Sequence, residues 1–426
     1  MKKTNVLYLT WGEGVYDSGI IKNLIAEQLH RISMYDDINV KVLCGVPVIR
    51  KTAFFSHSTW LQSKDSLRKH FNSLGLDISF RNMLIPGSFF RSHFYEFPFL
   101  YLGGHFFSLR RFLVRNDIDV VLCRSYHAAL LALLVKKTFR MKLKVVFDTR
   151  SIFPEECVMT GRIARNGISF RLWKRVERYL LENADSVVNV SEGLSEHFSK
   201  IFPAMMHNVY ASIDIEAIDL HHKKSWDERL GSNDATCILT YLGNIAGESF
   251  HTSDYLARVF LEYRRLSKKN CKLQVISKAN PDSIRSSLIS CGLDNDDITI
   301  LAANSIYDCN EYLSRSDFCV VPFKHIENDF DRLMADTMIG SKIPEYLMAR
   351  KRIIYNADIK CLNSILLNSI AGIPFSISEN PARISFQGTD IDRSAGSDIA
   401  EETLRIAKTF FSIDSSSAKY HDLLTR

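Results

Sequence analysis

The residues best spaced for chemistry lie between Ile339 and Asn356, in the stretch IGSKIPEYLMARKRIIYN. Ser341 is of the type that caps a helix, its hydroxyl accepting from a free backbone N–H of the first turn, and Pro344 sits where a missing N–H does no harm. A helix is therefore predicted from about residue 342. The opening amides of such a helix favour an anion, so the turn through Gly340, Ser341, Lys342 and Ile343 suits a phosphate or diphosphate. Glu345, one turn inside, is an odd neighbour for phosphate, but its acceptor oxygens suit the two hydroxyls of an adjoining ribose. Together these describe a nucleoside diphosphate. A capped helix with a first-turn glutamate is also common in α/β proteins that bind no such ligand.

Other polar groups gather where strands are predicted to end. Arg124, Ser125, Tyr126 and His127 follow the run DVVLC, and Asp148, Thr149, Arg150 and Ser151 follow LKVVF, so both groups converge at one edge of a parallel sheet. Gly12 and Gly14 lie in the loop after VLYLT, where a bare backbone can approach a ligand, and Gly243 makes a turn after the strand-like CILTYL. A lone histidine at a helix start, such as His127, is usually a satisfied structural residue. His221 and His222 lack a further ligand set nearby. The D-x-D triplets at Asp117–Asp119, Asp329–Asp331 and Asp390–Asp392 do not directly follow a convincing buried strand, so no metal site is expected.

The elements that must position these residues alternate strand and helix, the pattern of an α/β protein with parallel sheets. Strands are predicted at VLYLT, INVKVL, DVVLC, LKVVF and SVVNV in the first half, and at CILTYL, LQVIS, DITIL, DFCVV, RIIY and GIPFSI in the second. Between residues 44 and 103 periodicity fails. The stretch FFRSHFYEFPFLYLGGHFFSLRRF, from Phe89, mixes rings and arginines in a way that suits either core helices or an anionic bilayer surface. The helix predicted over 167–184 places Arg171, Lys174, Arg175 and Arg178 on a solvated face. Residues 323–338 read as an acidic polar loop, from which Asn328 or Asp331 would accept sugar hydroxyls. The expected division is a first domain over 1–214, a linker over 215–236, a second domain over 237–397, and final helices over 398–426 that return to the first domain.

The segment SKIPEYLMARKRII resembles one in family 4 of the retaining glycosyltransferases, with pattern S-K-I-x-E-Y-L-A-x-G-K-P-V-I. VSEGL near 190–194, YLGN at 241–244 and FDTRSIFPEE also resemble phrases of that family. The resemblance implies a GT-B fold, two Rossmann-like domains facing each other across a cleft, and a nucleotide-sugar donor held by the second. It implies that the glutamate matching Glu345 holds the ribose, that the turn amides of Ser341, Lys342 and Ile343 hold the diphosphate, and that Gly243 and Asn244 lie under the phosphates. It also raises Gly12, Gly14, Arg124 and His127 as cleft residues, the last two as catalytic candidates. Two departures stand out: the family's earlier glutamate is Thr337 here, and its Arg-Lys pair after the glycine is missing, which leaves Lys278 as the candidate cation.

Composition agrees with a soluble globular chain: 426 residues, 46% hydrophobic and 24% charged, enough for two domains. The net charge of +6 does not call for nucleic acid but suits a nucleotide sugar or an acidic lipid. Nine scattered cysteines, never in C-x-x-C spacing, read as reduced thiols. No apolar run reaches the ~18 residues of a membrane span, and the start is not that of a signal peptide. The protein is therefore expected in the cytoplasm, with peripheral contact to the inner membrane. The expected activity is metal-independent, cofactor-free transfer of a sugar to a glycan or glycolipid acceptor, in capsule or O-antigen synthesis. A nucleotide-sugar epimerase of the same fold and a catalytically silent nucleotide-sugar-binding subunit are the alternatives.

Overall fold

The computed structural model describes residues 3–12, 24–47, 57–83, 97–102, 104–219, 236–243, 245, 251–303, 305–340, 342–379, 382–387, 391–393 and 396–426. Gly14, Asn244 and Ser341, the segment 89–96 and most of the expected linker lie outside them. The chain forms two compact units, one of residues 1–210 with 413–426 and one of residues 211–412.

The first unit carries a seven-stranded sheet in the order β3-β2-β1-β4-β5-β6-β7. Its strands are β1 (Thr4–Trp11), β2 (Ile38–Pro47), β3 (Asp77–Met83), β4 (Val120–Arg124), β5 (Lys144–Asp148), β6 (Ser186–Asn189) and β7 (Met206–Asn208). All neighbours pair in parallel. Strands β4 and β6 are buried along their whole length, which is why they read as unbroken apolar runs and not as alternation. β3 escaped the sequence reading because it is an edge strand with three exposed residues, too polar to stand out.

The second unit repeats the plan in the order β10-β9-β8-β11-β12-β13-β14. It comprises β8 (Thr236–Leu242), β9 (Asn270–Ile276), β10 (Ile298–Leu301), β11 (Phe318–Val321), β12 (Arg352–Asn356), β13 (Gly372–Glu379) and β14 (Ala382–Phe386). Six strands were legible in the sequence; β14 was not, and it is the antiparallel one, closing the edge as a hairpin with β13. In each sheet the chain works outward from one central strand, β1 or β8, then returns to its other side. The ends of β1 and β4, and of β8 and β11, are thus topological switch points, where open α/β sheets leave room for ligands.

The range 398–426 divides between the units. The helix Ser397–Phe411 packs on Ile343–Met348 in the second, whereas Ile413–Thr425 packs on Ala26–Ser33 in the first. The latter is tied down by Gln28 donating to Ser416 Oγ (3.2 Å), Lys144 Nζ donating to the Leu423 carbonyl (2.7 Å) and His421 paired with Asp37 (2.8 Å).

Several local expectations changed. Ser191 caps the helix Glu192–Ile201, accepting from the Leu194 amide at 3.1 Å. The acidic stretch before the anchor segment is not a loop: Asn328 accepts from the amides of Phe330 and Asp331 and starts a helix over Asp329–Thr337. Asp331 is buried in an ion pair with Lys324 (2.7 Å). Asn328 and Asp331 therefore hold the helix start, the use a carboxamide cap finds whenever apolar residues follow at helical spacing. Lys174 is not on a solvated face either. It turns inward to pair with Glu155 (2.9 Å) and with Glu177, which also accepts from the Tyr126 hydroxyl at 2.7 Å.

Candidate functional site

In the second unit, the helix of the anchor segment spans Ile343–Met348, with Pro344 in its first turn and Lys342 just before it. Six residues make too short a helix for aligned peptide dipoles to dominate, so positive charge here rests on a side chain. Lys342 Nζ lies 3.0 Å from the Tyr241 hydroxyl and 4.1 Å from the centroid of its ring. Burial pulls the pKa of Lys342 from the usual lysine range down to about 7, with Glu345 opposing. Burial pushes Glu345 up to about 7, with Lys342 opposing. Two groups of opposite charge thus titrate together near neutrality, the behaviour expected of a site prepared for a ligand that supplies missing partners.

Tyr346 fixes this helix at the switch point. Its hydroxyl accepts from the Leu242 amide of β8 (2.8 Å) and donates to the Val320 carbonyl of β11 (3.3 Å). Those bonds bring Lys342 to the end of β8, where Gly243 has φ of 131°. A β-carbon on Gly243 would lie 3.1 Å from Lys342 Nζ and 3.4 Å from the Tyr241 hydroxyl. Only glycine permits both that backbone and that approach.

Beyond Gly243 a hollow of about 430 Å³ opens at the ends of β8, β9 and β10. Gly243, Ser277, Lys278 and Cys309 line it, with Lys278 exposed. Burial, then Glu345, push the Cys309 thiol up to about 12, while Lys278 acts the other way, so both charges face this sulfur. Gly243, Lys278, Lys342 and Glu345 are therefore brought together, and Ile343 is buried at the helix start. Tyr241, Tyr346 and His251 were missed by the sequence reading. His251 sits 5.8 Å from the Tyr241 ring, held neutral first by burial and then by Lys342. The alternation of β8 does place Tyr241 and Gly243 on one side, a signal that could have found the tyrosine.

Thr337, at the position of the family's earlier glutamate, is buried, and its hydroxyl donates to the Leu333 carbonyl (2.8 Å). Of the described D-x-D residues, Asp119 accepts from the Asn5 amide (2.9 Å), and Asp392 from Ser267 (2.6 Å) and Tyr263 (3.3 Å). Among the described residues no three His, Cys, Asp or Glu side chains are grouped to hold a metal ion.

In the first unit, Gly12 ends β1 with φ of 79°. Arg124 ends β4 in register with Thr10 of β1 and Asp148 of β5. His127, expected beside the ligand, is instead buried 4.9 Å from the Phe153 ring and 4.8 Å from the Trp173 ring. Burial, and then Arg162, lower its pKa to about 3, so it packs as a neutral ring. The helix Ser125–Thr138 is nearly all apolar, so even its first turn is drawn into the core.

Residues 64–217 match the family model described as Glycosyltransferase Family 4. No curated protein matches the chain. Among solved structures, sucrose-phosphate synthase from Thermosynechococcus elongatus aligns with a TM-score of 0.63 at 12% identity, over 99% of this chain and 98% of that one. A glycosyltransferase from Rickettsia africae aligns at 0.63 and 14%, over 100% and 98%. Anabaena HepE, solved in complex with UDP, aligns at 0.60 and 11%, over 99% of both chains. Two switch-point sheets of GT-B architecture, with a Family 4 match over residues 64–217, make this chain a glycosyltransferase.

Proposed function

We propose that the chain transfers a sugar from a nucleoside-diphosphate sugar to a glycan acceptor with retention of configuration. The grouping of Lys342 and Glu345 beside Gly243, which with Lys278 lines the hollow, carries this reading. Glu345 would accept from the ribose hydroxyls, Gly243 would let the diphosphate approach the end of β8, and Lys342 with Lys278 would stabilise the charge developing on the departing diphosphate. Two ammonium groups make a bound metal unnecessary for that task. The acceptor hydroxyl would attack from the face the diphosphate leaves, so no protein nucleophile is assigned. The UDP and UDP-glucose complexes of Anabaena HepE support a uridine donor as the first to try.

The test is thermal stabilisation by a panel of nucleoside diphosphates, with and without a chelator. One nucleotide should raise the melting temperature by several degrees in either condition, and Glu345→Ala should lose that shift. No shift at millimolar nucleotide, or an undiminished one in the variant, would remove the donor site. Turnover then separates the classes. A transferase releases nucleotide in the presence of acceptor, an epimerase interconverts the sugar, and a binding subunit does neither.

The reading extends to a lipid-linked acceptor in capsule or O-antigen assembly, met by a protein peripheral to the inner membrane. Among the described residues no helix is long and apolar enough to cross a membrane. The helix His105–Arg115 exposes Phe107 (73%) and Val114 (61%) beside Arg110, Arg111 and Arg115, and Phe99 (63%) precedes it. Lys41, Arg81, Arg111 and Arg115 line a hollow of about 720 Å³ along this helix. Rings for the interface and cations for head groups support contact with anionic lipid. The protein should sediment with vesicles containing phosphatidylglycerol and not with phosphatidylcholine alone. The pair Arg111→Glu and Arg115→Glu should reduce that binding at least tenfold; equal binding to both vesicle types would discard the surface.

A further inference from the structure

Strand β3 sorts its side chains by kind. Ile78 and Phe80 are buried on one face, where Lys64 and Arg68 each reach to 5.8 Å from the Phe80 ring, while Asp77, Ser79 and Arg81 share the other. That polar face is one wall of the hollow of about 720 Å³, and the helix His105–Arg115 is the wall opposite. The helix divides its residues three ways. Leu109 and Leu113 enter the core, Arg110 lies 4.9 Å from the Phe139 ring, and Ser108, Arg111, Phe112 and Arg115 line the hollow.

Charge in this hollow does not cancel. Asp77 is the one carboxylate among the described lining residues, against the cations of Lys41, Arg81, Arg111 and Arg115. Lys41 pairs with Asp77, its neighbour in register, at 3.4 Å. Arg81 Nε donates to Ser108 Oγ (3.3 Å) and Nη1 to the Phe80 carbonyl (3.4 Å), contacts that join strand to helix without neutralising the guanidinium. Arg111 and Arg115 form no ion pair with a described residue. His105 adds no charge, since burial and then Arg81 hold it below the usual imidazole range. An edge strand can carry charge simply to avoid pairing with other strands, but that needs none of the same sign on the helix it faces. Two walls of one sign repel across a gap, and an anion between them removes the repulsion. About three charges in excess suit a ligand of charge two or more, so a phosphate monoester or a diphosphate fits better than a carboxylate. Guanidinium forks and the hydroxyls of Ser79 and Ser108 are donors that phosphate oxygens accept from, and Phe107 and Phe112 offer an apolar side for the organic part of an ester.

We propose that the hollow between β3 and the helix His105–Arg115 binds a phosphate monoester or diphosphate, held by Arg81, Arg111 and Arg115 together with Lys41. This deepens the anionic-lipid reading above and rests on it only for the source of the phosphate. A bilayer surface asks for scattered cations, whereas a lined hollow selects a single group by its terminal phosphate.

The test is calorimetric titration of the full chain with inorganic pyrophosphate, and separately with acetate. Pyrophosphate also suits the donor hollow, so variants assign the heat. Arg81→Gln combined with Arg111→Gln, both at exposed positions, should weaken one binding event at least tenfold, and Lys342→Met should leave that event in place. Arg175→Gln combined with Arg178→Gln removes the same charge from exposed positions of the helix Ile168–Asn183 and should change pyrophosphate affinity less than twofold. Acetate should not bind. The proposal is overturned if the wild type binds no pyrophosphate, if Arg81→Gln with Arg111→Gln binds it as the wild type does, if acetate binds as well, or if the Arg175 and Arg178 changes weaken it equally, since net charge alone would then account for the affinity. Vesicles containing phosphatidic acid or phosphatidylglycerol, matched in surface charge, distinguish the sources. Preference for phosphatidic acid, displaced by pyrophosphate, assigns the site to a lipid phosphate; equal vesicle binding with intact pyrophosphate binding assigns it to a soluble ester. Failure to sediment with either vesicle counts against the lipid reading alone, because the titration needs no membrane.

Discussion

Lys342→Met is expected to lower nucleoside-diphosphate affinity about a hundredfold at pH 6.5, the ~3 kcal/mol upper range for a hydrogen bond to a charged group, and to raise the melting temperature of the free protein near pH 7. Both effects come from burial. Lys342 has its pKa held down to about 7 by desolvation, so the folded chain binds fewer protons there than the unfolded chain between pH 7 and the ordinary lysine value. Stability therefore rises with pH across that window. Glu345 is raised to about 7, also by desolvation, so the folded chain binds more protons between the ordinary glutamate value and pH 7, and stability falls with pH there. The ligand-free protein should be least stable near pH 7. Removing the ammonium relieves one of the two penalties, by roughly 1–2 kcal/mol after allowing for partial exposure and the lost contact with Tyr241.

Ligand binding runs in the opposite sense. Below pH 7 the pair carries a proton on each group and is net positive; above it the pair becomes net negative. Diphosphate affinity should fall as pH rises through 7, and Lys342→Met should flatten this slope. Titration calorimetry between pH 6 and 8.5, paired with melting curves, measures both. A variant that binds nucleotide within threefold of wild type would place Lys342 outside the donor site, whatever happens to its stability.

Lys174→Met is expected to have the largest effect on the first unit, a loss of roughly 2–4 kcal/mol, because removing one partner of a buried ion pair leaves uncompensated charge. Glu177 and Glu155 are both buried against Lys174, the first also held by Tyr126. Burial works against the ammonium, but Glu177 and Glu155 outweigh it and hold its pKa above the usual lysine value. Burial in turn pushes Glu177 up, with Lys174 the strongest opposing influence. Without the lysine the Glu177 carboxylate would take up a proton on folding. The deficit should therefore be larger at pH 8 than at pH 5, and Glu155→Gln added to Lys174→Met should recover part of it. A cost under about 0.5 kcal/mol, typical of an exposed pair, would show that the ammonium does not neutralise this cluster.

The sequence by itself determined the repeated strand-helix order and the helix-turn-strand around Glu345. Buried parallel strands must be apolar on both faces, so β4, β6 and β11 are visible as continuous runs. Pro344, Glu345 and the strand at Arg352–Asn356 fell where their residue types predict, because those preferences act within a few residues. Partners distant in sequence were decided only by tertiary structure. The ammonium of Lys342 meets Tyr241, about a hundred positions away, and the amide of Leu242 finds Tyr346, contacts that no local propensity encodes. The same reason explains the reversals. His127 and Lys174 are polar residues on helices whose spacing leaves open whether they face water or core, and the strands and aromatic rings packed against them settled it. The short helix at Ile343–Met348 likewise moved the expected positive charge from backbone dipole to lysine side chain.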